Sequence, residues 1–436
     1  MKAARLALCA TAALGLVACG GPKPIDPSRQ IGANPYLPDI HQYLTPPMHL
    51  AKNIGWGGAT PTVPAGLKVK ALATGLRSPR SVYVLPNGDI LVVESGGPAA
   101  APINRPKEFI MGWLEKMSHS ATPPGNRILL FRDADGDGTP ELKSVFIDHL
   151  NSPFGVVLVG GDLYVADTDA VLRFPYQTGQ TTITTPGVKL TDLPGGPIDH
   201  HWTKSLTASP DGTKLYAGVG SNSNITENGI GAELGRASIW EIDRATGAHR
   251  EYATGLRNPN GLQFEPTTHV LWAVVNERDE LGPDLVPDYL TSVKDGAFYG
   301  WPYSYYGQHI DPRVRPQRPD LVAKAIPPDY ALSSHVAPLG LVFYSGSNLP
   351  AAYRGGAFVG EHGSWDRTTL NGYKVVYVPF ANGRPSGTAQ DVVTGFVRNG
   401  DEAHGRPVGL AVDSRGGLLI ADDTGNTVWR VTGAGG

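Results

Sequence analysis

One pattern of apolar and polar positions recurs six times along the chain. Each copy has a turn, a proline or its stand-in, a small residue, a short apolar alternation, a second turn and a second apolar run. The first is Ser78-Pro79-Arg80-Ser81-Val82, answered by Ile90-Leu91-Val92-Val93. The second is Ser152-Pro153-Phe154-Gly155-Val156, answered by Leu163-Tyr164-Val165-Ala166. The third is looser, with Thr203 in the proline slot of Trp202-Thr203-Lys204-Ser205-Leu206, then Leu215-Tyr216-Ala217. Asn258-Pro259-Asn260-Gly261-Leu262, Ala337-Pro338-Leu339-Gly340-Leu341 and Arg406-Pro407-Val408-Gly409-Leu410 open the last three. Each copy reads as two antiparallel strands around a tight turn.

Copies are spaced by roughly 50 to 80 residues, which leaves room for two more strands each. Repeated four-stranded units around an axis make a propeller. The expected fold is therefore all-β: a six-bladed β-propeller of four-stranded antiparallel blades over residues 65–432. An eight-stranded barrel with appendages is the competing architecture, and six matched copies argue against it. Leu67 to Leu72 alternates like an edge strand. It is expected to pair with Thr427 to Val431 and so close the ring. Residues 97–124 and 279–334 read as insertions, the second rich in tyrosine and tryptophan.

Composition sharpens this picture. Gly (55) and Pro (38) make up about a fifth of the chain, as many short elements joined by turns require. A net charge of -3 lacks the footprint of a nucleic-acid binder. Lys2 and Arg5 precede an apolar run, Leu6 to Ala18, too short to span a bilayer. Leu16-Val17-Ala18-Cys19 resembles a bacterial lipobox, so residues 1–19 are expected to be a leader with Cys19 lipidated. The mature protein would then face the periplasm, held to the membrane only through that lipid. Residues 20–64 read as a tether and irregular lead-in. The other cysteine, Cys9, lies in the leader, so no disulfide is expected.

The repeat gives a common register for candidate chemistry. Residues just before each proline should ring one end of a central channel. Asn258 and Arg406 stand one place before it; Arg77, Asn151, His201 and Arg257 two before; His200, His335 and His404 three before. Such a ring suits an anionic ligand with a titratable base beside it. For each residue alone, a structural role or a surface salt bridge is the plainer explanation; shared register favours the ring. The loop Asn276 to Asp284 carries Glu277, Asp279 and free carbonyls, as a hard cation such as calcium requires; a solvated charged loop is its alternative. Asp133, Asp135 and Asp137 copy the first half of a calcium loop. Ser144 stands where the twelfth-position Glu belongs, which excludes an EF-hand and leaves a stapled turn or a plain one. No nucleophile elbow, zinc spacing, phosphate loop or dinucleotide fingerprint is present.

Several of these segments resemble the soluble pyrroloquinoline quinone (PQQ) sugar dehydrogenases, of the L-sorbosone and the glucose and aldose sugar dehydrogenase type. They are His201 to Leu206 with Val219 to Asn224, Gly255 to Gly261, Asn276 to Asp279, Tyr299 to Pro302, and Gly405 to Gly409. The resemblance covers about residues 65–432. It implies PQQ- and calcium-dependent oxidation of a sugar, with an external electron acceptor. His201 would be the general base. Arg257, Asn258, Arg406 and His335 would hold the cofactor, and the carbonyls of Gly282 and Pro283 the calcium. Glucose dehydrogenases carry a lysine in the fifth blade; here the stretch is Glu361 to Arg367, and Arg367 is the substitute on offer. A calcium-dependent lactonase-type hydrolase and a non-catalytic binding scaffold are the two alternatives.

Overall fold

The computed structural model describes residues 25–43, 47–98 and 123–435. The leader, Cys19 and most of the 97–124 insertion lie outside the described residues.

Among the described residues the chain is nearly all β, with six antiparallel sheets of four or more strands. The first sheet takes Pro79–Val84, Ile90–Glu94, Arg127–Arg132 and Leu142–Ile147. The second takes Gly155–Val159, Asp162–Ala166, Ala170–Pro175 and Val188–Asp192, and the third Leu206–Ala208, Lys214–Val219, Ser238–Asp243 and His249–Thr254. The fourth takes Asn258–Phe264, Leu271–Asn276, Pro287–Ser292 and Tyr330–Ser334, and the fifth Pro338–Phe343, Ala357–Glu361, Lys374–Val378 and Gln390–Val393. In the sixth, Pro407–Val412, Leu418–Asp422 and Thr427–Gly433 are completed by Leu67–Ala73 from the other end of the chain. Val69 lies opposite Val431 there, and Ala71 opposite Trp429.

Each sheet buries its faces against the next, which accounts for the apolar runs. Leu91, Leu130, Val156 and Leu163 pack between the first two sheets; Tyr164, Val171, Leu215 and Trp240 between the second and third. Tyr216, Ile239, Leu262 and Val275 join the third to the fourth; Trp272, Leu290, Leu341 and Val359 the fourth to the fifth. Val342, Phe358, Leu410 and Ile420 join the fifth to the sixth. Leu72, Val82, Val92 and Leu419 bring the sixth back to the first. A second strand inside such a stack is covered on both faces, so Ile90–Glu94 and Leu418–Asp422 are buried at every position. That is why they read as continuous apolar runs rather than alternations. The arrangement is β-propeller-like.

The first strands converge on an axis. A cavity of about 300 Å³ runs between them, lined from all six sheets by Ser81, Val156, Leu206, Gly261, Gly340 and Gly409 among others. Strands approach so closely there that a Cβ on Gly409 would lie 2.8 Å from the Arg80 carbonyl oxygen. This is the crowding that the small residue after each proline relieves.

The lead-in departs from the expected tether. Residues 25–43 and 47–64 are docked on the sheets, though largely without regular structure. Ile31–Gly32 adds a fifth strand to the fourth sheet beside Tyr330–Ser334. Trp56 is buried, with its indole N–H donating to Asp422 at 2.6 Å. Its apolar and indole groups find partners that sequence order alone did not display. Among the described residues no helix is long and apolar enough to cross a membrane.

Candidate functional site

His201 lies on the crossing from the second sheet to the third. Lys204, fully buried, anchors that crossing: its ammonium donates to the Trp202 carbonyl (3.0 Å) and lies 3.5 Å from Asp199. The imidazole turns toward the end of Lys214–Val219, where Nδ1 meets the Ser221 carbonyl oxygen at 2.7 Å. A carbonyl only accepts, so Nδ1 carries the hydrogen and Nε2 the lone pair. Burial, with the Arg257 charge beside it, holds this histidine well below its ordinary pKa, so it is neutral at neutral pH. Gly220 makes room: a Cβ there would collide with the His201 Cβ and the Asn258 amide oxygen.

Arg257 and Asn258 enter the fourth sheet alongside. The Arg257 guanidinium donates to the Glu277 carbonyl (2.6 Å) and pairs with Asp279 at 2.9 Å. The other Asp279 oxygen lies 3.3 Å from His335 Nδ1, and His335 Nε2 lies 3.2 Å from the Gly282 carbonyl oxygen. Burial alone would lower the His335 pKa. The Asp279 hydrogen bond and the charges of Asp366, Asp279 and Asp288 outweigh it and raise the value to about 9. Asp279, His335 and Asp366 offer ligand atoms all within 4.8 Å of one another. Asp366 accepts the Glu280 N–H on Oδ2 (2.8 Å), while its buried Oδ1 has no hydrogen-bond partner. Ser333, His335 and Ala337 hold φ of 83°, 58° and 50°, a concentration of left-handed backbone at the cluster.

Arg406 enters from the sixth sheet. It donates to the carbonyls of His362 (2.9 Å) and Gly363 (2.7 Å), with its guanidinium 5.0 Å from the Tyr373 ring centre. His362 meets Asp423 at 3.0 Å, and Asp423 also pairs with Arg80. Arg80 lies over the Trp202 ring at 5.3 Å. Trp202 in turn packs on Phe154, Leu339 and Val408, residues that follow the repeat's proline in three copies. Contacts therefore lead from Arg406 through His362, Asp423 and Arg80 to Trp202, the residue after His201, while Asp279 joins Arg257 to His335. All of them sit at the end of the channel where the first strands begin.

Not every expected residue joins this group. The Glu277 carboxylate turns away: it pairs with fully buried Arg278 at 3.1 Å, which also reaches Asp311 and the carbonyls of Pro302 and Ser304. That ion pair fastens the aromatic insertion to the fourth sheet; the Glu277 Oε1 stays buried without a partner, and Glu277 lies outside the Asp279, His335 and Asp366 group. Arg367 pairs with Asp284 at 3.0 Å, and its buried Nε has no hydrogen-bond partner. Gly282 and Pro283 are buried next to His335. His404 stacks on Trp56 and meets the Gly55 carbonyl, and Arg77 donates to Pro123 and Pro124. His200 and Asn151 are exposed. Asp133, Asp135 and Asp137 form an acidic turn with Glu141 between Arg127–Arg132 and Leu142–Ile147, at the far end of the sheet.

Sequence reading missed Asp366, Arg80, Asp423, His362, Lys204 and Gly220 as site builders. Arg80 carried a visible signal, since it directly follows a repeat proline. Asp366 carried none, because only folding brings it to Asp279.

The donor set fits the groups that the sequence resemblance implies. Asp279, Asp366 and the Gly282 carbonyl are oxygen donors of the kind a hard cation prefers, and one of their oxygens is buried without a partner. The guanidinium groups of Arg257, Arg80 and Arg406 suit an anionic, planar cofactor.

Fold and site together define a propeller-like protein whose mouth gathers arginines, carboxylates and imidazoles. Residues 127–287 and 318–434 match the TrAA12-like family, to which this chain belongs. An uncharacterised protein of Borreliella burgdorferi is 30% identical over 241 residues, 55% of this chain and 62% of that protein. A PQQ-dependent pyranose dehydrogenase of Coprinopsis cinerea is 24% identical over 84% of this chain. The chain spans only 54% of the length of that relative. Among solved structures, a calcium structure of the Trichoderma reesei carbohydrate-active enzyme of family AA12 superposes with a TM-score of 0.70. It is 20% identical and covers 90% of this chain and 98% of its own.

Proposed function

We propose that this chain is a six-bladed propeller enzyme that oxidises a sugar or sugar-derived aldehyde, using PQQ and calcium. One observation carries the reading: a neutral imidazole, oriented by the Ser221 carbonyl, lies beside Arg257 at the channel mouth. His201 Nε2 takes the substrate hydroxyl proton in this reading. PQQ, when bound, supplies the two-electron acceptor. Arg257, Arg406 and Asn258 hold the cofactor, and Asp279 fixes the Arg257 guanidinium. Calcium is assigned to Gly282, Pro283 and Asp279, with Asp366 beside them. The PQQ-dependent relative and the calcium-bearing neighbour support both groups. The lipobox-like segment supports an exported, lipid-anchored protein, checked by the mass of the mature N-terminus.

The test uses purified apo-protein with calcium, PQQ, an artificial electron acceptor and a panel of sugars. PQQ binding and sugar-dependent dye reduction are expected; absence of both would sink the proposal in favour of a binding scaffold. Acceptor-independent lactone hydrolysis would favour the hydrolase. His201→Ala is expected to lower kcat at least about a hundredfold while PQQ still binds. Arg406→Ala is expected chiefly to weaken PQQ.

A further inference from the structure

Gln30 reaches the metal loop from the lead-in. It ends the short 3-10 turn Pro27–Gln30 and is fully buried. Its amide Nε2 donates to the Asp284 carbonyl oxygen at 2.5 Å, and its Oε1 accepts from Ser334 Oγ at 2.6 Å. Asp284 follows Pro283, and Ser334 precedes His335. One side chain therefore ties together the two backbone stretches that present Gly282, Pro283 and His335. Neighbouring lead-in contacts act on the same loop. The Ile25 N–H donates to Asp284 Oδ2 (3.3 Å), and the His41 N–H donates to the Leu281 carbonyl (2.9 Å).

We propose that Gln30 is a positioning residue for the calcium loop 282–284, which makes the lead-in a working part of the site rather than a spacer. This rests on the assignment of Gly282, Pro283 and Asp279 as calcium ligands. The loop lies between Leu271–Asn276 and Pro287–Ser292 with no strand of its own, so no sheet ladder fixes its carbonyls. Carbonyl ligands bind a cation only when they point at a common centre. The direction of the Asp284 peptide, adjoining the Pro283 carbonyl, is set by what holds it. Removing the amide leaves a buried carbonyl and a buried hydroxyl unpaired, and the loop relaxes to find water. Partners one step behind metal ligands commonly change metal affinity by about 10–100-fold.

The test is calorimetric titration of the full-length apo-protein with calcium alone. All variants carry Asp135→Asn and Asp137→Asn, so that the distant acidic turn does not contribute. Gln30→Ala is expected to weaken calcium binding about tenfold, and Ser334→Ala, which removes half of the tie, about threefold. Raising calcium tenfold should then restore PQQ binding to Gln30→Ala, which a general loss of structure would not allow. Wild-type affinity in both variants would overturn the inference while leaving the calcium assignment intact. If the unsubstituted loop takes no calcium, that assignment fails and the inference with it. Should Gln30→Ala not fold, Ser334→Ala alone decides.

Discussion

A base that works near neutral pH must be uncharged there, and in His201 burial and Arg257 both disfavour the imidazolium. The wild-type pH–rate profile should therefore keep its acid limb below 6.5, the ordinary histidine value. A limb centred at or above 6.5 would remove His201 as the free base. Gly220 belongs to the same scale. Its missing side chain leaves space filled by His201 and Asn258, so Gly220→Ala must push one of them aside. Displacing a reacting group by about 1 Å costs on the order of a hundredfold in rate. Gly220→Ala is expected to lower kcat by at least about tenfold and to lower thermal stability as well, by the roughly 1–3 kcal/mol of overpacking, which kinetics and calorimetry together would check. His201, Arg257 and Asn258 were legible because the repeat gave them a shared register. Neighbouring letters do not reveal which charge a side chain will face. Arg367 met Asp284 and Glu277 met Arg278.

At the scale of the element, a carboxylate clasps the start of several sheets. Glu94, Asp167 and Asp422 accept the backbone N–H of Arg77 (2.7 Å), Asn151 (2.9 Å) and Arg406 (2.7 Å), and Asp288 accepts that of Ala337 (2.7 Å). Burial raises Asp167, Asp288 and Asp422 to about 7. Glu361, at the matching end of the fifth sheet, has a buried oxygen without a partner, and burial lifts it to about 8. A carboxyl raised in the folded state favours folding in its neutral form. Its contribution is full below about pH 4, where the unfolded chain also binds the proton. It declines as pH rises and is lost beyond the folded value. Glu361→Gln keeps the neutral form at every pH. Its Tm is expected to exceed wild type by a few degrees at pH 8.5, with the gap closing toward pH 4. Parallel Tm curves across that range would contradict it.

For the whole molecule, ring closure is the decisive contact. Leu67–Ala73 comes from one end of the chain and Thr427–Gly433 from the other, and their ladder completes the sixth sheet with Leu67–Ala73 as its edge strand. Val69 and Val431 are direct partners. Val69→Cys with Val431→Cys should therefore form a disulfide, and no cysteine beyond Cys19 competes for it. Tying ends so far apart stabilises by on the order of 5 kcal/mol at most. A Tm rise of several degrees, abolished by reductant, is expected. A pair that stays reduced under oxidising conditions would place the two strands apart.

Sequence by itself determined the strands, the six repeats, the closing pair and the register that sets His201 near Arg257 and Asn258. Those features are periodic, and alternation between buried and exposed positions writes periodicity directly into the letters. Only the tertiary structure decided that Gln30 and Trp56 dock, that Asp366 meets His335, and that Arg80 and Trp202 bridge the mouth. These contacts join residues far apart in the chain. Their identity depends on where the sheets bring buried polar groups together, and no local pattern encodes that.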